Sequence, residues 1–79
     1  QVLLNVPVAD KPALDGLDRT AALVQRVESE LADEGRVLLR YSGTESLARV
    51  MVEGPDLARI EAQAREIADL LVEEIAASA

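Results

Sequence analysis

The chain opens with an alternation of apolar and polar positions that predicts a β-strand. Residues 1–8 are rich in apolar and β-branched side chains, and Val2, Leu4 and Val6 share one face at a period of two. Residues 10–16 are more polar and contain proline and glycine, which predicts a connecting loop. The aspartates of this loop are candidates to accept hydrogen bonds from the first N–H groups of the helix that follows.

A three- and four-residue spacing of apolar side chains predicts the first helix over residues 18–34. The stripe expected to be buried consists of Leu17, Ala21, Val24, Val27 and Leu31. Gly35 follows at the position where helices commonly end in left-handed backbone, which glycine adopts without steric cost. We therefore expect Gly35 to be left-handed.

Two short segments rich in β-branched and apolar residues, 36–41 and 48–53, predict an antiparallel hairpin with Gly43 in its turn. Both strands are apolar on both faces, which is typical of a sheet covered on more than one side. We expect the helices to cover one face. The other face, which includes Leu38 and Met51, is a candidate contact surface for a partner domain.

The last predicted element is a long helix that begins at Gly-Pro-Asp, residues 54–56, because proline fits a first helical turn and aspartate suits its positive end. The stripe expected to be buried consists of Leu57, Ile60, Ala64, Ile67, Leu71 and Ile75. This spacing also fits a coiled-coil seam, but Ala64 and the short length favour packing on a sheet. The order strand, helix, strand, strand, helix predicts an α+β fold, a two-layer sandwich with an antiparallel sheet and two helices on one face.

Composition narrows the classes of function. The chain has 79 residues, 49% of them hydrophobic, which suits one small domain. Eight lysines and arginines against 15 aspartates and glutamates give a net charge of −7, so neither nucleic acid nor an acidic membrane is an expected partner. The chain contains no cysteine and no histidine, which excludes thiolate chemistry and removes the commonest base and metal ligand.

The ends of the chain suggest its context. No apolar run approaches the roughly 20 residues that span a bilayer, and the N-terminus lacks the features of a signal peptide, so we expect a cytoplasmic location. The sequence begins within a predicted strand and without an initiator methionine, which indicates a fragment of a longer protein.

The turn of the predicted hairpin carries the candidate chemistry. Hairpin pairing brings Arg40 and Arg49 near each other across the strand ends, where two like charges repel unless an anion lies between them. Arginine offers forked donors to phosphate oxygens, Ser42 and Thr44 offer hydroxyl groups, and Gly43 lets backbone N–H groups approach an anion closely. These residues together predict a phosphate-binding turn.

Other interpretations of the same residues remain open. Glu45 lies in the turn and could pair with either arginine, in which case no ligand is needed. Ser42 and Glu45 also fit a capping box that starts a helix, although the β-branched residues downstream argue against it. A nucleophilic role for Ser42 lacks a neighbouring histidine. The acids Asp10, Asp15 and Asp18 fit no calcium loop, so we expect no metal site in this chain.

Residues 35–45 and 49–54 resemble the C-terminal domain of the phosphohexomutase family, which includes phosphoglucomutases and phosphomannomutases, and in particular its phosphoglucosamine mutase branch. The run Arg-x-Ser-Gly-Thr-Glu with a later arginine is the most specific part, and residues 1–6 are also similar to the start of that domain. The resemblance covers nearly the whole chain. It implies a fold like that of the TATA-box-binding protein.

Membership of that family implies an isomerase with four domains that interconverts glucosamine 6-phosphate and glucosamine 1-phosphate through a phosphoserine. The Mg²⁺ ion and the phosphoserine would belong to other domains, so this chain alone would hold no catalytic residue and be inactive. The resemblance makes residues 1–79 a lid domain whose turn grips the phosphate that is not transferred. The binding residues carried over are Arg40, Ser42, Gly43, Thr44 and Arg49.

One departure from the family pattern concerns the turn. Ser46 stands where the family usually has proline, and the loss of proline leaves the unbound turn less restricted. Two alternatives to the glucosamine phosphate function are kept. One is the lid domain of a phosphoglucomutase or phosphomannomutase, and the other is a non-catalytic protein-interaction module that docks through Leu38 and Met51.

Overall fold

In a computed structural model that describes residues 1–78, three strands and two helices follow one another in the predicted order. Short 3-10 turns precede and follow the first helix, at Leu14–Gly16 and Ala32–Glu34. The main elements are β1 (Val2–Pro7), α1 (Asp18–Leu31), β2 (Arg36–Tyr41), β3 (Leu47–Glu53) and α2 (Leu57–Ser78).

The sheet is antiparallel throughout, with the order β1-β3-β2. Strand β3 is central, so that Val52 pairs with Val2 on one side and with Val37 on the other. Both helices pack on the same side of this sheet, and the predicted two-layer α+β sandwich is confirmed. The likeness to the TATA-box-binding protein stays a prediction.

The core lies between the sheet and the helices. Val27 of α1, Val50 and Val52 of β3, and Ile67 of α2 are completely buried there. Removing such a side chain from water stabilises the fold by about 1.5–3 kcal/mol each. A second buried cluster holds the turn end of the sheet against the end of α2; it comprises Val8, Leu17, Ala48, Leu71 and Ile75.

The start of α2 differs in detail from the prediction. Asp56 is the residue before the helix, and its Oδ1 accepts a hydrogen bond from the Arg59 N–H at 3.2 Å, so Pro55 lies outside the first turn. Leu57 was predicted to be buried but is 57% exposed; the first buried residue of α2 is Ile60, which lies against Gly54. Gln63 is also buried, within the apolar stripe of α2, and a pattern of apolar residues could not predict the burial of a polar one.

The start of α1 is stabilised from a distant element rather than from the preceding loop. No side chain of that loop caps the helix; instead Glu74 of α2 accepts hydrogen bonds from the Arg19 N–H at 3.0 Å and from the N–H and hydroxyl of Thr20 at 2.7 Å each. The expected aspartate cap was therefore wrong. Desolvation raises the pKa of Glu74, but these hydrogen bonds and the Arg19 charge outweigh it, and the pKa lies below its ordinary value of 4.5.

The end of α1 also corrects a prediction. The helix ends at Leu31, and Gly35 has an extended backbone with φ −165°, while the residue with positive φ is Ala32 at 52°. Gly35 is needed for another reason. A Cβ there would overlap the carbonyl oxygen of Glu53 and lie 3.0 Å from its carbonyl carbon, so the two chain segments approach too closely for any side chain.

Candidate functional site

The site is the turn at residues 42–46, which joins β2 to β3. The Ser42 N–H donates to the Leu47 carbonyl at 2.9 Å, and the Ser42 hydroxyl oxygen accepts from the Glu45 N–H at 3.2 Å. The second bond is half of the capping box considered above, but no helix follows it, because β3 begins at Leu47. Strand β3 thus starts one residue before its predicted position.

Arg40 and Arg49 are direct partners in the register of β2 and β3, as the spacing predicted. Because side chains alternate along a strand, both lie on the face of the sheet opposite the helices. Both residues are exposed. Asn5 of β1 is the next residue in the same row across the sheet, a neighbour that the sequence pattern alone did not identify.

Neither of these arginines has a carboxylate partner among residues 1–78. The ion pairs found there join Arg19 to Glu73, Arg26 to Glu66 and Arg36 to Glu53. Glu45 contributes its backbone N–H to the turn, not its carboxylate. The alternative in which Glu45 neutralises Arg40 or Arg49 is therefore not formed in the structure.

The tip of the turn offers hydrogen-bond donors to solvent. Gly43 and Thr44 are exposed, and within the described part of the chain their N–H groups have no acceptor. A Cβ at Gly43 would meet no atom within 4 Å, and its φ is not positive. The fold itself therefore does not require glycine at this position.

Beside the arginines, the open face of the sheet forms a shallow cavity of about 230 Å³. Its apolar wall consists of Leu3, Leu38 and Met51. Leu3 is 56% and Leu38 39% exposed, whereas Met51 is buried at 7%. The apolar surface predicted to contact a partner domain is therefore formed by Leu3 and Leu38, with Met51 lying beneath.

Behind the turn lies the segment between β1 and α1, which sequence reasoning assigned no role. The Val8 N–H donates to the Ser46 carbonyl at 2.9 Å, and Lys11 Nζ donates to the Ser42 carbonyl at 2.7 Å. The Tyr41 hydroxyl donates to the Pro12 carbonyl at 2.6 Å. Lys11 is the only lysine of the chain, and this was the one feature of the sequence that could have pointed to the segment.

The environment of Tyr41 shows how closely this segment packs. Partial burial raises the pKa of Tyr41, and the charge of Asp10 raises it further. Tyr41 therefore remains a neutral hydrogen-bond donor to Pro12 at physiological pH. Its ring packs against the second core cluster, so the turn is connected to the hydrophobic core through β2.

A larger concavity than the one beside the arginines lies elsewhere, in a groove of about 610 Å³ between α1 and α2. Two exposed ion pairs, Arg19–Glu73 and Arg26–Glu66, join the helices across it. Both arginines that line the groove are thus already paired with glutamates. An anion-binding role fits the unpaired arginines of the turn better than this groove.

Residues 1–78 contain neither a metal-binding cluster nor a membrane-spanning helix. Across residues 1–78, no group of three or more acidic, histidine or cysteine side chains is placed to hold a metal ion. Asp10, Asp15 and Asp18 in particular do not converge on such a site. Within the same residues, neither helix combines the length and the apolar character needed to cross a membrane.

Comparison with known proteins identifies the family of this chain. A family model described as "Phosphoglucomutase/phosphomannomutase, C-terminal domain" matches residues 3–70. The phosphoglucosamine mutase of Protochlamydia amoebophila is 47% identical over 78 residues, or 99% of this chain, and that of Geobacter metallireducens is 51% identical over 75 residues, or 95%. The chain spans 17% of the length of each of these relatives. The chain therefore belongs to the phosphoglucomutase/phosphomannomutase family and matches its C-terminal domain.

Proposed function

We propose that this chain is the substrate-phosphate-binding domain of a phosphoglucosamine mutase. The whole enzyme would interconvert glucosamine 6-phosphate and glucosamine 1-phosphate in the amino-sugar metabolism of the cytoplasm. Within it, residues 1–79 would act as a lid whose turn grips the phosphate that is not being transferred. The glucosamine preference rests on the names of the curated relatives, since the family description also covers phosphoglucomutases and phosphomannomutases.

One observation carries this proposal. Arg40 and Arg49 are partners across two hydrogen-bonded strands, both are exposed, and neither forms an ion pair with any residue from 1 to 78. Like charges placed directly opposite each other destabilise a hairpin. A phosphate dianion between the two guanidinium groups reverses that effect, because each arginine gains charge-assisted hydrogen bonds.

The rest of the turn completes the coordination. The Gly43 and Thr44 N–H groups are open to solvent, and the hydroxyls of Ser42 and Thr44 retain hydrogens to donate. The chain carries a net charge of −7, but charges more than about 8–10 Å away are largely screened at physiological ionic strength. The donors in contact with the anion therefore decide binding.

The role of these residues is to bind and orient, and none of them is a catalytic residue. No basic side chain is hydrogen-bonded to the Ser42 hydroxyl, whose oxygen accepts from the Glu45 N–H, and the chain has no histidine. The Mg²⁺ ion expected of the enzyme does not fit the scattered acids of this chain and would be held by another domain. Holding one phosphate fixes the sugar, and lid closure excludes water around the reacting phosphate.

The most direct solution test follows backbone amide shifts while the chain is titrated with inorganic phosphate or glucosamine 6-phosphate at constant ionic strength. We expect saturable shifts at residues 42–45 and at Arg40 and Arg49. Arg40→Gln and Arg49→Gln should each weaken binding. Arg65→Gln is the matched control, because Arg65 is exposed on α2 and its loss changes the net charge equally. A flat response in the wild-type chain would contradict the proposal.

Kinetics of the complete enzyme test the lid role separately. If the turn binds the substrate in the ground state and holds it more tightly in the transition state, Arg40→Ala and Arg49→Ala should raise KM and lower kcat together. Unchanged constants in both variants would remove the arginines from the mechanism. In that case the open sheet face would be better explained as a docking surface with no role in phosphate binding.

A further inference from the structure

The segment of residues 8–12, here called the strap, lies behind the turn and contacts both of its ends. At one end the Val8 N–H donates to the Ser46 carbonyl, and at the other Lys11 Nζ donates to the Ser42 carbonyl. The Tyr41 hydroxyl in turn donates to the Pro12 carbonyl and holds the strap against β2. Lys11 is exposed; its backbone N–H donates to the Asp10 carboxylate at 2.8 Å, but its Nζ forms no ion pair with any acidic side chain among the described residues.

We propose that Lys11 is a positioning residue for phosphate binding, which acts through the peptide bond between Ser42 and Gly43. This inference rests on the proposed function of the turn. Lys11 bonds the carbonyl oxygen of that peptide at 2.7 Å. The N–H of the same peptide belongs to Gly43 and is one of the donors offered to the anion.

The geometry of a peptide links the two groups. A trans peptide is planar, and its C=O and N–H point in opposite directions; residues 1–78 contain no cis peptide. Holding the Ser42 oxygen toward Lys11 therefore aims the Gly43 N–H away from the strap and out of the fold. A positive charge at the carbonyl also polarises the peptide, which makes its N–H a stronger donor.

Lys11 is well suited to this task because the rest of the turn leaves this peptide free. The Ser42 N–H is bonded to the Leu47 carbonyl, which fixes the preceding peptide. Gly43 has no side chain to pack and no atom within 4 Å of a would-be Cβ. Without Lys11, the Ser42–Gly43 peptide would keep no hydrogen bond within the described chain, and it would rotate freely between turns with different N–H directions.

The experiment compares inorganic phosphate binding by variants of the chain at constant ionic strength. Lys11→Met removes the donor, Lys11→Arg keeps a charged donor, and Arg65→Gln removes the same charge far from the turn. Loss of one such hydrogen bond predicts about three- to tenfold weaker phosphate binding for Lys11→Met, with Lys11→Arg and Arg65→Gln within about twofold of wild type. Equal weakening by Lys11→Met and Arg65→Gln would overturn the inference in favour of a general charge effect.

A ligand-free measurement separates positioning from direct contact with phosphate. In Lys11→Met without phosphate, we expect the Gly43 amide proton to shift and to broaden or exchange faster, while amides of α1 and α2 keep their wild-type shifts. Tyr41→Phe, which loosens the strap without changing the charge, should produce a smaller change in the same direction. An unchanged Gly43 amide in Lys11→Met would overturn the inference.

The outcomes also separate this inference from the function it rests on. If Lys11→Met binds phosphate as tightly as the wild-type chain does, only the role of Lys11 is rejected. Absence of phosphate binding in the wild-type chain rejects both the inference and the proposed function.

Discussion

The two ends of the β2–β3 hairpin differ in how their cross-strand charges are paired. At the end next to α2, Arg36 faces Glu53 across the strands, and their side chains approach to 3.7 Å. At the turn end, Arg40 faces Arg49, and neither has a carboxylate partner within residues 1–78. The Arg36–Glu53 pair is neutralised within the fold, whereas the two charges of the Arg40–Arg49 pair are not, which is why we propose an anionic ligand for them.

The glycines at the two ends differ in the same way. Gly35 is required because the Glu53 carbonyl leaves no room for a Cβ, and Gly54 lies against Ile60 and Leu31. Gly43 has open space around it, and its backbone does not adopt the positive φ that favours glycine. Residue choice near α2 is thus explained by packing, whereas packing does not explain the glycine at the turn and the proposed phosphate ligand would.

The largest expected effect is on stability at the packed end. Gly35→Ala forces the Glu53 carbonyl away from its strand position, and we expect a loss of about 3 kcal/mol or more in the free energy of unfolding. Gly43→Ala is the matched control and should stay within about 0.5 kcal/mol of wild type. Urea denaturation followed by circular dichroism measures both, and equal losses would show that the two ends are not different.

The next largest effects are expected at the turn end, where the loss of an arginine should weaken phosphate binding but increase stability. Arg40→Gln or Arg49→Gln should weaken phosphate binding by about ten- to a hundredfold, since a hydrogen bond to a charged group contributes about 1.5–3 kcal/mol. The same variants should raise the free energy of unfolding by about 0.2–1 kcal/mol, because a like-charge cross-strand pair is removed.

Arg36→Gln provides the control for that prediction. It breaks an exposed ion pair, so we expect a stability loss of at most about 0.5–1 kcal/mol and no change in phosphate affinity. Binding isotherms and denaturation curves on the three variants settle the comparison. A loss of both stability and phosphate affinity in the turn variants would contradict the proposed difference between the two ends of the hairpin.

Lower pH should weaken phosphate binding before it affects stability. The second pKa of a phosphate monoester is about 6, and arginine stays charged, so affinity should fall by up to about tenfold between about pH 7.5 and pH 5. Stability should fall only at more acidic pH. The pKa of Glu74 is depressed below 4.5, so the stabilisation it gives is present above that value and is lost as pH falls through the folded-state pKa.

Thermal unfolding and titration with glucosamine 6-phosphate, a phosphate monoester, in the same buffers measure the two effects. Glu74→Gln should flatten the acid side of the stability profile without moving the pH dependence of binding. If phosphate affinity and stability fell over the same pH range, the loss of binding would be a consequence of unfolding.

The smallest expected effect comes from stiffening the turn. The Ser46 N–H has no acceptor among residues 1–78, so Ser46→Pro breaks no hydrogen bond. Restricting the unfolded chain should then stabilise the fold by about 0.4–1 kcal/mol. Ser46→Ala serves as control and should leave stability unchanged. A loss of stability in Ser46→Pro alone would show that the backbone at this position does not suit proline.

The sequence predicted features that depend on neighbours along the chain. Strand β2 has the predicted bounds, and the Arg40–Arg49 pairing follows directly from a short hairpin turn. Features set by distant residues were missed. Glu74 caps α1 from 54 residues away, and Lys11 reaches Ser42 across 31 residues, and no local pattern encodes either contact.

The error at Gly35 has the same origin. A glycine after a helix is most often a left-handed terminator, and local reasoning assigned it that role. In the structure the helix ends earlier, and Gly35 is required by the close approach of β3. For the candidate site, the sequence predicted the residue types and the Arg40–Arg49 pairing. The position of the strap behind the turn depends on the fold and could not be predicted from the sequence.

The central claim is that an anion belongs between Arg40 and Arg49. A high-resolution structure of the complete enzyme with glucosamine 6-phosphate bound tests it most directly. We predict phosphate oxygens about 2.7–3.0 Å from the guanidinium nitrogens of both arginines, with the Gly43 N–H pointing at the same phosphate. A bound sugar phosphate held entirely by other parts of the enzyme, with this turn facing bulk solvent, would contradict the claim.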